Sequence, residues 1–126
     1  MVALRSRAIA EELAGGGGMV ALPVPVGRVR ELLADHPEVS LAVVNGPSST
    51  VVAGEAGALE RLLADCRERE IQARRIAVDY ASHSHLVERI EERLLADLAP
   101  IAPRSAEIPV YSSVTGEVMD TAQWDA

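Results

Sequence analysis

Apolar positions along the chain keep two rhythms, one of three to four residues and one of two, and the switches between them mark the predicted elements. From Val2 to Leu13, Leu4, Ile9 and Leu13 are apolar, while Arg5, Arg7, Glu11 and Glu12 are charged, which predicts a surface helix. Gly15 to Gly18 ends it as a flexible joint or a tight turn. Met19 to Val24 reads as a short strand, bounded by Pro23 and Pro25, which cannot donate to a sheet ladder. Val26 to Ala34 is helical, with Val26, Val29, Leu32 and Leu33 on one face. Asp35-His36-Pro37 stops it, and His36 is expected in solvent at a helix end whose dipole favours it. Val39 to Val44 and Thr50 to Ala53 form a hairpin, whose connection at 45–49 calls for a bulge or a wide turn. Ala56 to Arg69 is a helix with Leu59, Leu62, Leu63 and Cys66 inward, and Ile71 to Val78 is a strand whose alternation Arg74 and Arg75 interrupt.

Strand, helix, strand, strand, helix, strand is the βαββαβ order of ferredoxin-like domains, an α/β (α+β) fold with two helices on one sheet face. Beyond it, Leu86 to Leu98 carries Val87, Ile90, Leu94 and Leu98 at helical spacing, with Ser84 placed to cap its N-terminus. Pro100 and Pro103 close that helix. Ile108 to Val114 then reads as a strand, Thr115-Gly116 as a turn and Glu117 to Met119 as a short partner strand. The chain opens inside a helical pattern with no preceding cap, and it ends on the segment 121–126 with its single Trp almost terminal. A piece of a larger protein is therefore expected.

Composition narrows the function classes. Of the 126 residues 48% are apolar, which excludes wholesale disorder, but Phe is absent and the core must come from Leu, Val, Ile and Ala. A net charge of -7 argues against a nucleic-acid surface. Cys66 is the single cysteine, so no internal disulfide forms, and its helical position predicts a buried, inert thiol. No apolar run approaches the roughly 20 residues that span a bilayer, and no signal-peptide pattern opens the chain. A cytoplasmic protein with no membrane partner is expected.

The candidate chemistry sits in Val78-Asp79-Tyr80-Ala81-Ser82-His83-Ser84-His85, at a strand-to-helix junction. His83 reads as a general base tuned near neutral pH, or as a structural residue that donates to a local carbonyl. A metal site lacks a third ligand at usable spacing, so no metal is expected. His85 belongs to the first helical turn and is expected to be exposed. Arg5 is a surface charge or, within a cleft, a two-pronged grip for a carboxylate. No G-x-S-x-G pattern occurs, so a hydrolytic dyad cannot be assembled from these residues.

Four stretches carry a resemblance: VALRSRAIAEELAGGGGMVAL at 2–22, VVNGPSSTVVAG at 43–54, RRIAVDYASHS at 74–84 and IPVYSSVTGEVMD at 108–120. Together they cover nearly the whole chain, which resembles the acyltransferase domain of modular type I polyketide synthases, related to malonyl-CoA:acyl-carrier-protein transacylases. The resemblance implies a large α/β-hydrolase-like subdomain with a small ferredoxin-like one inserted. On that basis residues 1–18 are the end of a large-subdomain helix and a Gly-rich joint. Residues 19–78 are the small subdomain, and 79–126 the active-site loop and the return into the large one.

The resemblance further implies that His83 is the catalytic histidine, that Arg5 binds the extender carboxylate, and that Tyr80, Ala81 and Ser82 set specificity. In that family YASH looks like methylmalonyl selection and HAFH like malonyl selection. Ser82 in place of Phe leaves room for a methyl branch, worth about 1–3 kcal/mol in an apolar pocket. The implied activity is ping-pong transfer from methylmalonyl-CoA or malonyl-CoA to an acyl carrier protein. No bound cofactor is implied: the CoA thioester is substrate, and the phosphopantetheine belongs to the carrier protein. The other implied partners are neighbouring synthase domains. The family nucleophile, a serine in GHSxG upstream of LRSRA, is not among these residues, so the chain is expected to be inactive alone. The alternative is a non-catalytic ferredoxin-like module that docks a carrier protein. A hydrolase is disfavoured because Arg5 and YASH match transferase features.

Overall fold

The computed structural model describes residues 2–124; Met1 and the last two residues of the terminal segment lie outside the described residues. Helix α1 (Val2–Glu12) leads through a turn at Gly15 (φ 77°) into strand β1 (Gly17–Leu22). Helix α2 (Val26–Leu33), strands β2 (Val39–Gly46) and β3 (Ser49–Glu55), helix α3 (Ala56–Glu68) and strand β4 (Arg74–Arg75) follow. The four strands form one antiparallel sheet in the order β2-β3-β1-β4, which is the ferredoxin-like topology. A 3-10 turn (His85–Ile90), helix α4 (Glu91–Leu98), a two-stranded hairpin of β5 (Val110–Tyr111) and β6 (Val118–Met119) and a last 3-10 turn (Thr121–Gln123) complete the described chain.

The period-two pattern sorts side chains to the two sheet faces. Val20 and Leu22 of β1 and Val52 of β3 point to the helical side, where they pack with Val29, Leu32, Leu59, Leu62 and Cys66. Met19 of β1 with Val51 and Ala53 of β3 point to the opposite side, where Ala81 covers them. A third cluster joins Ala8 and Leu13 to Ile90.

Several expectations needed correction. Gly17 and Gly18 are strand residues paired with Glu55 and Gly54, so the glycine run supplies only the turn at its start. A Cβ on Gly17 would stand 2.6 Å from the Gly54 carbonyl oxygen, and that close approach is what glycine permits here. The hairpin turn is only Pro47-Ser48, with irregular register placed upstream, between Leu41 and Val43 and between Val44 and Gly46.

The strand expected over 71–78 contracts to Arg74–Arg75 because its neighbours spend their N–H groups locally. Ile71 donates to Cys66, Ala73 to Ile71, and Val78 to Ile76. The helix expected over 86–98 divides at Ile90 into a 3-10 turn and α4. The strands expected over 108–114 and 117–119 shorten to the residue pairs of β5 and β6, whose turn carries Gly116 at φ 75°. His36 is buried, with its Nε2 3.1 Å from Asp65 Oδ2 on α3, because a carboxylate faces it across the helix pair. Cys66 is fully buried as expected, and burial pushes its thiol up.

Candidate active site

The segment from Ile76 to Ser84 crosses the sheet face that the helices leave free. It is tied down at two points, within β1 and in the turn before it: Ile76 N–H donates to the Met19 carbonyl at 2.9 Å, and Gly15 N–H donates to the Asp79 carbonyl at 2.7 Å. Ala81 is buried against Met19, Val51 and Ala53. Ser82 Oγ donates to Met19 Sδ at 2.9 Å. Ser84 closes the loop, since its Oγ donates to the Ala81 carbonyl at 2.7 Å and accepts the Leu86 N–H at 3.3 Å. It is the N-cap read from the sequence.

His83 sits between these anchors with φ 58°, in the left-handed region. Histidine enters that region more readily than most residues, but it does so at a cost that the surrounding bonds must hold. The effect is to turn the imidazole out of the loop: His83 is exposed while Ala81 and Ser84 on either side are buried. His85 is exposed, as expected.

An open cleft of about 710 Å³ lies between α1 and the 85–98 segment. Arg5, Tyr80, Ser82 and His83 line it, with Ile9, Leu94 and Leu98 among its apolar walls. Thus Arg5, separated from His83 by the whole ferredoxin-like unit in sequence, shares its cleft in space. Ala81 is not on that wall; it faces the sheet. Tyr80 also packs against the Ala8–Leu13–Ile90 cluster, so it joins the cleft wall to the core.

The cleft walls are held together by Arg93 of α4, which reaches α1 at Glu11 (2.7 Å) and Glu12 (2.8 Å) and contacts Asp97 at 3.5 Å. The carboxylates of Glu12 and Glu11 raise the Arg93 guanidinium above its ordinary value, so it stays charged. Arg7 and Arg93 in turn hold the Glu11 carboxyl below its usual range. This network fixes α1, and with it Arg5, opposite the loop. Sequence reasoning missed Arg93 and Met19. The only signal for Arg93 was its spacing to Asp97 on one helix; Met19 gave none. Among the described residues no cluster of three or more His, Cys, Asp or Glu side chains could hold a metal ion, and no helix is long and apolar enough to cross a membrane.

The unit thus presents a histidine and an arginine to one cleft whose walls are largely apolar. Comparison with known proteins makes the class specific. The family model of the acyl transferase domain matches residues 1–126. The spectinabilin polyketide synthase system protein NorA' of Streptomyces orinoci is 60% identical over 117 residues, which are 92% of this chain and 3% of that protein. Mycoketide-CoA synthase of Mycobacterium tuberculosis is 51% identical over 100% of this chain and 3% of its own length. The acyltransferase domain from module 8 of the salinomycin polyketide synthase superposes with a TM-score of 0.80 at 48% identity, covering 98% of this chain and 29% of that one. The chain belongs to the acyl transferase domain family and, within it, to the acyltransferase domains of polyketide synthases. It spans about 3% of the length of these curated relatives.

Proposed function

We propose that this chain forms one wall of an extender-unit site, in a domain that moves a methylmalonyl group from CoA to an acyl carrier protein. The observation that carries the reading is that Arg5, Tyr80, Ser82 and His83 line one cleft. On this reading residues 19–78 are the small subdomain, and 1–18 and 79–126 belong to the large one. A serine supplied by the rest of the domain is the nucleophile, and His83 is its general base. Its proton passes to the imidazole as the serine oxygen attacks the thioester carbonyl, and His83 returns a proton to the departing CoA thiolate. In the second half the phosphopantetheine thiol gives its proton to His83 and takes the acyl group, and His83 returns that proton to the departing serine oxygen. The acyl group therefore changes partner twice while His83 ends each cycle as it began.

Arg5 supplies the second element of selectivity. A guanidinium offers the free carboxylate of a malonyl-type group two parallel hydrogen bonds. Simple acyl thioesters lack that carboxylate and leave the charge unpaired in the cleft. The apolar side chains left exposed on the last hairpin, Ile108, Val114 and Val118, are where the remainder of the large subdomain is expected to pack.

The test uses residues 2–124 grafted in place of the aligned segment of the salinomycin module 8 domain. Arg5→Ala is expected to reduce methylmalonyl transfer by about 100-fold, the order of a lost charge-assisted pair, and to leave transfer of a propionyl group little changed. Equal loss on both thioesters would remove the carboxylate role from Arg5.

A further inference from the structure

We infer that Met19 is a positioning residue for extender selection, acting through Ser82. The inference rests on the proposed reading of residues 80–83 as the extender-selecting loop. Its basis is the way that loop is seated. Ser82 lines the cleft, yet its hydroxyl does not spend its proton there: Oγ donates to Met19 Sδ at 2.9 Å, across the sheet face. A serine hydroxyl has one proton to give, so this bond fixes its rotamer. The donor proton is then turned toward Met19, which does not line the cleft, and away from the space where a free hydroxyl would be a poor neighbour for a methyl branch.

The neighbouring residues make the anchor specific to this strand. Met19 is itself buried, and its carbonyl accepts the Ile76 N–H at 2.9 Å, so one residue holds the loop through both main chain and side chain. Ala81 seats beside it in the space that Gly17 leaves open, where a Cβ on Gly17 would stand 2.9 Å from the Ala81 Cβ. His83 follows Ser82 directly, with its backbone at φ 58°. A change in how Ser82 is held is therefore passed on to the imidazole without any intervening residue. A thioether is the fitting acceptor at this place: it fills an apolar niche and still accepts weakly, where leucine fills the niche and accepts nothing.

The test is a double-mutant cycle in the same grafted domain, with Met19→Leu, Ser82→Ala and both together. Met19→Leu nearly conserves volume and should fold. Amide hydrogen exchange over residues 79–84 is expected to quicken about twofold to threefold in Met19→Leu, the low end of the net range for one hydrogen bond, because a thioether accepts weakly. The methylmalonyl-to-malonyl ratio of kcat/KM is expected to fall by a similar factor. Adding Met19→Leu to Ser82→Ala should change neither quantity further. Unchanged exchange in Met19→Leu, or independent multiplying effects in the double variant, would overturn the inference. A grafted domain that accepts neither acyl group would refute the extender-selecting reading, while the exchange data would still decide whether Met19 anchors the loop.

Discussion

His36 and Asp65 show how a single residue pair can matter without any signal in the local sequence. His36 stands where a helix ends before a proline, a context that predicts solvent. In the fold it is buried and shares a hydrogen bond with Asp65, 29 residues away, which Arg69 also contacts at 3.1 Å. The His36 hydrogen bond first, and the Arg69 charge after it, lower the Asp65 carboxyl below its ordinary range. The folded state therefore binds this proton less readily than the unfolded chain, whose aspartates titrate near about 3.9. The resulting stabilisation is present above the unfolded value and is lost as pH falls through the lowered folded one. Asp65→Asn is expected to unfold at lower denaturant than the unsubstituted chain at pH 5. The gap between the two should close as pH falls below the carboxylate range. A gap constant from pH 5 to pH 2 would contradict this account. Tyr80-Ala81-Ser82-His83 was legible as a motif for the opposite reason: its four residues are contiguous. Their partner Met19 lies 63 residues from Ser82 and was invisible.

At the scale of elements, local chemistry read well and element lengths read poorly. Ser84 capping the 85–90 turn was legible because the capping bond spans only two residues. The length of β4 was not, because it depends on which N–H groups the bends at Ala73 and Val78 claim first. Helix α3 ends in a Schellman motif: Ile71 N–H donates to the Cys66 carbonyl at 2.8 Å and Glu70 N–H to the Arg67 carbonyl at 3.2 Å. The residue in the left-handed position is Glu70, at φ 56°, where glycine is the usual choice. Glu70→Gly removes a Cβ penalty that exceeds the extra entropy glycine loses on folding, so it should stabilise the chain by up to about 1 kcal/mol. A shift of the urea midpoint to higher concentration would bear this out, and a lower midpoint would show that the cap carries no strain.

In the whole molecule the sheet serves two different layers. Helices α2 and α3 cover one face and supply the main core, whereas the other face carries the loop that bears His83. The topology was legible in the sequence because alternation and helical spacing are local properties that survive in a single chain. That Arg5 and His83 share a cleft was not: it needs α1 packed against α4, a pairing that Arg93 spans across 81 residues of chain. The motif resemblance brought the two residues together before geometry could. The central claim is that this cleft selects a branched dicarboxylic extender, and intact mass tests it directly. The domain carrying residues 2–124 in the salinomycin module 8 frame would be exposed to equal malonyl-CoA and methylmalonyl-CoA, beside its His83→Ala variant. A covalent adduct with the mass of methylmalonyl, at least about tenfold over malonyl and formed far more slowly in His83→Ala, is the predicted result. An adduct dominated by malonyl, or one that forms equally fast without the imidazole, would contradict it.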